Sequence, residues 1–203
     1  MGRGTQSCLG CGLVLLLLVC VVCVAGSVLT PLAASLAVAG LQANLASSAD
    51  PAKAKQVGAQ IADYTLPPGH REQVGVDLWL AQMVVITPDV FQTDVNLTDG
   101  YVIDLLATKL PVDSAQLEKQ MLDGLLAQTK AQGVSWQKVG ERNVTVHGKP
   151  ATLSVLEDDP AHPLIRAASG GFRGRDGQTF VQIISQSGVW NWTKVESFLR
   201  SIE

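Results

Sequence analysis

No acidic or basic residue lies between Gly4 and Ala49. A stretch that long without charge excludes an ordinary hydrated protein surface, which mixes both signs of charge. Nor is there any cysteine after Cys23. The remainder of the chain therefore holds no disulfide and no thiolate nucleophile, and its stability must come from an apolar core. Histidine is scarce, with only His70, His147 and His162, which leaves few side chains suited to general acid–base work near neutral pH. G-x-S-x-G, H-E-x-x-H and a strand-to-helix nucleotide fingerprint are all missing, so the common hydrolase, zinc-protease and nucleotide signatures are excluded.

What the uncharged run does contain is an aliphatic block, Leu9 to Leu29. As a helix it would be roughly 30 Å long, the thickness of a bilayer's hydrocarbon core. A helix apolar on all sides suits lipid rather than the surface of a small domain. Arg3 is the only charged side chain before it, and Asp50 is the first after it. Positive charge on the short N-terminal side predicts a single-pass protein with a cytoplasmic N-terminus (residues 1–8) and an exported C-terminal part. A cleaved signal peptide is the competing reading, since Val24-Ala25-Gly26 and Ala37-Val38-Ala39 both offer small residues for cleavage. The apolar core exceeds the usual ~7–15 residues of a signal peptide, which favours a retained signal anchor over 9–29.

All four cysteines, Cys8, Cys11, Cys20 and Cys23, fall in or beside this block. Two C-x-x-C pairs suggest zinc out of context. On one helix, however, the second pair lies about 18 Å along the axis from the first, beyond the reach of a single ion. Cysteine here reads as a small apolar residue, with acylation of Cys8 or Cys11 at the cytoplasmic edge as the alternative.

Residues 30–49 are rich in Ala, Leu and Ser, with Leu32, Leu36, Leu41 and Leu45 at helical spacing, and read as a stalk. Asp50 to Glu203 is one domain's worth of chain. Without Arg3, the chain's 15 Lys and Arg become 14 here, against 18 Asp and Glu, a formal −4. That balance gives no nucleic-acid footprint.

Within the domain, Asp50-Pro51 predicts a helix start, with a helix from Pro51 to Tyr64 closed by Leu66-Pro67-Pro68-Gly69. Trp79–Ile86 and Tyr101–Thr108 are strand candidates rich in aliphatic residues. Asp113, with Gln116 completing a capping box and Val112 able to staple to Leu117, opens a second helix that runs to Gly133. Val144–Val146 and Leu153–Val155 alternate around His147-Gly148-Lys149, a hairpin pattern. Arg166–Phe172 and Gln178–Ser185 form a second hairpin through Asp176-Gly177. A last helix starts at Asn191, with Trp192, Val195, Leu199 and Ile202 on one face. The expectation is an α+β fold: an N-terminal transmembrane helix, then one α/β sandwich domain with a largely antiparallel sheet.

The run Gly174-Arg175-Asp176-Gly177-Gln178-Thr179-Phe180-Val181-Gln182-Ile183-Ile184, followed by Val195-Glu196-Ser197-Phe198-Leu199-Arg200-Ser201-Ile202, resembles the PsbP-like α/β sandwich family. Ile61-Ala62-Asp63-Tyr64-Thr65-Leu66-Pro67-Pro68-Gly69 is similar to the start of a group of uncharacterised bacterial membrane-anchored proteins. The resemblance covers about half of the domain and implies a mostly non-enzymatic module that binds protein partners. No photosystem-binding segment accompanies it, so a photosynthetic role does not carry over.

Candidate chemistry is sparse. Glu157, Asp158 and Asp159 precede His162, and carboxylates with an imidazole could hold a divalent cation in a metal-dependent hydrolase. A polar loop closed by Pro160 and Pro163 accounts for the same residues. Gly170-Gly171-Phe172-Arg173-Gly174-Arg175 is glycine-rich, but strand signals on both sides favour a hairpin over a phosphate loop. Arg173 and Arg175 remain candidates for an anionic partner at its tip. His70 and His147 read as solvated turn residues. Trp190 and Trp192 form an exposed binding patch or, as we read Trp192, pack inward. Asn96, Asn143 and Asn191 each head a glycosylation sequon. These observations predict no cofactor and no catalytic residue. They describe a membrane-anchored, non-catalytic domain that binds a protein or ligand outside the cytoplasm, with the ectodomain of a membrane signalling complex as a further alternative.

Overall fold

The computed structural model describes residues 50–78, 81–89, 100–108, 118–119, 122–123, 136–159, 161, 163–175 and 177–203. The Leu9–Leu29 block, the stalk, most of the helix expected over 113–133, and His162 lie outside them. No helix among the described residues is long and apolar enough to cross a membrane.

Helix α1 (Pro51–Ile61) starts where expected: the Asp50 carboxylate accepts from Ala52 N–H at 2.9 Å, and proline sits in the first turn where its missing donor costs nothing. It ends at Ile61, one turn before the expected Tyr64. Among the described residues seven strands follow: β1 (His70–Leu78), β2 (Ala81–Pro88), β3 (Val102–Thr108), β4 (Gln137–Val146), β5 (Lys149–Glu157), β6 (Ile165–Arg173) and β7 (Gln178–Gln186). Helix α2 (Trp192–Arg200) closes the fold; Asn191 Oδ1 accepts from Thr193 and Lys194 N–H.

The strands form one sheet in the order β1-β2-β3-β7-β6-β5-β4, antiparallel throughout. Two meanders, β1–β3 and β4–β7, meet at the β3/β7 pair. The class is therefore α+β, as expected. In the β4/β5 hairpin, His147 and Gly148 both have positive φ (50° and 67°), the conformation that matches a two-residue turn to the twist of its strands.

Both helices cover one face of the sheet. Val57 and Ile61 of α1 and Val195, Phe198, Leu199 and Ile202 of the C-terminal segment join Val84, Ile86, Ile103, Leu105, Val181 and Ile183 in a single core. Helix α1 crosses β1 at Gly75, where a β-carbon would lie 2.5 Å from the Ala54 Cα. Side chains alternate along a strand, so Met83, Val85, Leu106, Phe180 and Ile184 point to the opposite face, and they too are buried. Burial on both faces explains why Met83–Ile86 of β2 reads as a continuous apolar run instead of alternating. Positions 118–119 and 122–123 are helical, and the Gly171 N–H of β6 donates to the Glu118 carboxylate.

Candidate functional site

Among the described residues, a buried polar row and a largely apolar cavity are the candidate sites. The first is a transverse row on the face opposite α1 and α2. Strand register places Asp104 (β3) beside Gln182 (β7), Gln182 beside Ser169 (β6), Ser169 beside Ser154 (β5), and Ser154 beside Glu141 (β4). Asp104, Gln182, Ser169 and Ser154 are only 2, 1, 1 and 4% exposed. Among the described residues, neither carboxylate oxygen of Asp104, nor Gln182 Nε2, nor Ser169 Oγ has a hydrogen-bond partner. Desolvation alone pushes the Asp104 carboxyl from 3.8 up to about 7, because charge is costly where no dipole answers it.

The second place is a cavity of about 450 Å³ on the helical face. Three segments distant in sequence line it: Thr65–Pro68 after α1, Gly100–Ile103 at the start of β3, and Lys194–Ser201 of α2 and its cap. Leu66, Tyr101, Ile103, Ile183, Val195 and Phe198 supply apolar wall. The volume lies in the range of small-molecule sites, and so does the balance of mostly apolar wall with a few polar groups.

The cavity's framework is tied down by hydrogen bonds. Tyr101 Oη accepts from Asn191 N–H at 2.7 Å and faces the Val189 and Asn191 carbonyls at 3.3 Å. Burial raises the Tyr101 phenol above its ordinary value, with the Asn191 backbone opposing. Ser201 Oγ donates to the Phe198 carbonyl at 2.7 Å and accepts from Thr65 N–H at 3.1 Å, which joins α2 to the Leu66-Pro67-Pro68 segment. Asp63 and Glu203 exchange backbone hydrogen bonds in both directions.

His70 lines this cavity and is not the solvated turn residue expected. Its ring is half-buried, 6.4 Å from that of Tyr101 and near parallel to it. Tyr101 N–H donates to Nε2 at 3.2 Å, so Nδ1 carries the proton and donates to the Pro68 carbonyl at 3.0 Å. With both nitrogens hydrogen-bonded to the backbone, His70 shapes the cavity wall. His147 is exposed in its hairpin turn, as expected.

The acidic candidates are otherwise engaged. Glu157 is buried and accepts from Arg166 Nε at 2.8 Å and from Arg166 Nη2, across the β5/β6 pair. Asp158 Oδ1 accepts from the Asp159, Leu164 and Ile165 N–H groups, each at 3.0 Å, and so staples the loop. Asp159 accepts from Ala161 N–H. Among the described residues no group of three His, Cys, Asp or Glu side chains could hold a metal ion. Arg173 is exposed at the end of β6. Arg175 is drawn back from the hairpin tip, donating to the Ala59 carbonyl at 2.9 Å and pairing with Asp63. Trp190 and Trp192 pack edge-to-face, 5.1 Å apart, against the core, and Arg142 lies 4.6 Å over the Trp192 ring while pairing with Glu196.

Residue spacing points to neither the cavity nor the polar row. A lone acid inside the apolar run Val102–Thr108 is the visible signal for the row; the cavity has none, since its walls converge only in the fold. Comparison with protein-family models and with curated protein sequences gives no match.

Proposed function

We propose that this chain is a membrane-tethered, non-catalytic domain of the PsbP-like sandwich type, which binds a ligand or partner outside the cytoplasm. The observation that carries the reading is the cavity of about 450 Å³, largely apolar-walled, with its histidine hydrogen-bonded to the backbone on both ring nitrogens. A site with a largely apolar wall and a few polar groups at its rim suits the holding of a small molecule. The uncharged block Leu9–Leu29 supports the tether, with Arg3 on the side retained in the cytoplasm.

Native mass spectrometry of the full chain, released from its membranes, tests the binding. The expected result is one small adduct per chain, lost in Ser197→Trp, an exposed rim position where a large ring plugs the opening. In intact cells, protease added outside should remove the domain, and alkaline carbonate should leave the protein in the membrane pellet. A chain that carries no adduct, or that carbonate releases, would sink the corresponding half of the reading.

A further inference from the structure

The cavity's polar groups are unevenly free, and that selects its ligand. Tyr101, His70 and Ser201 are committed to the backbone hydrogen bonds described above. Among the described residues, what remains is the Thr65 hydroxyl and, on the outer face of α2, Lys194 and Ser197, one helical turn apart, both exposed and both lining the cavity. Among the described residues, Lys194 enters no ion pair; the nearby acid of the same helix, Glu196, is taken by Arg142. Lys194 also sits in the first turn of α2, where its own N–H is held by Asn191 Oδ1 and the helix end adds partial positive charge. The cavity thus has an apolar interior, floored by Ile103 and Ile183, and a single unanswered cation beside a hydroxyl at its rim.

We infer that the cavity binds a single-chain amphiphile with a carboxylate head, its apolar chain inside and its head at Lys194 and Ser197. One ammonium neutralises one carboxylate; a phosphate monoester, at about −1.5 to −2, would keep charge uncompensated. The inference rests on the reading of this cavity as a ligand site and adds the ligand's chemistry.

The test is photolabelling of the full chain in nanodiscs with a diazirine-bearing fatty acid, with the labelled peptides located by mass spectrometry. Expected is labelling of the peptides that hold Ile103, Ile183 and Phe198. Unlabelled dodecanoate should compete and dodecyltrimethylammonium should not. Lys194→Glu, an exposed change that leaves the core intact, should weaken labelling about tenfold, the scale of one charge-assisted contact. Equal competition by both amphiphiles, with Lys194→Glu unaffected, would overturn the carboxylate assignment and leave the cavity a ligand site. Labelling confined to the Leu9–Leu29 block would overturn both the inference and the binding reading beneath it.

Discussion

Replacing Asp104 with asparagine tests the central claim about the polar row. The side chains match in shape, and only the asparagine cannot ionise. In the unfolded chain an aspartate loses its proton near pH 3.8; in the fold burial holds the proton until about pH 7. Between those values the unfolded state has fewer bound protons than the native one, so stability falls as pH rises, and it levels off above about pH 7. The gap of about three units, at about 1.36 kcal/mol each, makes the loss about 4 kcal/mol. The Asp104→Asn variant carries no such loss. The stability difference between variant and parent should therefore grow in the variant's favour by about 4 kcal/mol from pH 4 to pH 7.5. Urea titrations followed by tryptophan fluorescence would show it as a midpoint difference of about 2 M, given a slope of about 2 kcal/mol per molar. Because every other carboxylate is shared, subtraction isolates this one. A difference independent of pH would refute the argument that Asp104 is buried without a partner.

Gly75→Ala should destabilise by about 1–3 kcal/mol in the same titration, because the new methyl meets the α1 backbone at Ala54 and one element must shift. Asn191→Ala should cost about 1 kcal/mol through loss of the α2 cap, and Asn191→Asp should restore it; equal melting temperatures for the two would contradict the capping role. Arg166→Leu should cost about 2 kcal/mol by stranding the Glu157 carboxylate, while the Glu157→Leu/Arg166→Leu double variant recovers most of it. A double variant no better than the single would mean that the pair is not coupled.

How far the fold can be read from sequence follows how local its causes are. The β4/β5 and β6/β7 hairpins announce themselves through His147-Gly148 and Asp176-Gly177, and α2 through Asn191 and its apolar stripe. Strand β1 escapes because it is an edge strand that opens on four polar residues, His70-Arg71-Glu72-Gln73, each half-buried at most, so no apolar alternation marks its start. The first half of β4 escapes for the same reason: Gln137 to Asn143 lies on the opposite edge and is exposed throughout. His70 reads as a turn residue because its partner, the Tyr101 N–H, is 31 residues away. Spacing along the chain cannot show a contact of that kind. The acidic run before His162 does not suggest its real work, since Asp158 binds three amides of its own loop and Glu157 answers an arginine on the next strand.

The β3/β7 seam divides the labour of folding. Every other strand pair joins neighbours in sequence, so each meander can form from local closures, whereas the seam must close over residues 109–177. Docking of the two halves is then the expected slow step. A core change on the seam, such as Val181→Ala, should lower the folding rate in stopped-flow, while an equal loss at the outer strands should raise the unfolding rate. The same row that holds the unpartnered Asp104 and Gln182 crosses that seam, so the two halves must bring their polar groups into the dry interior in the step that joins them.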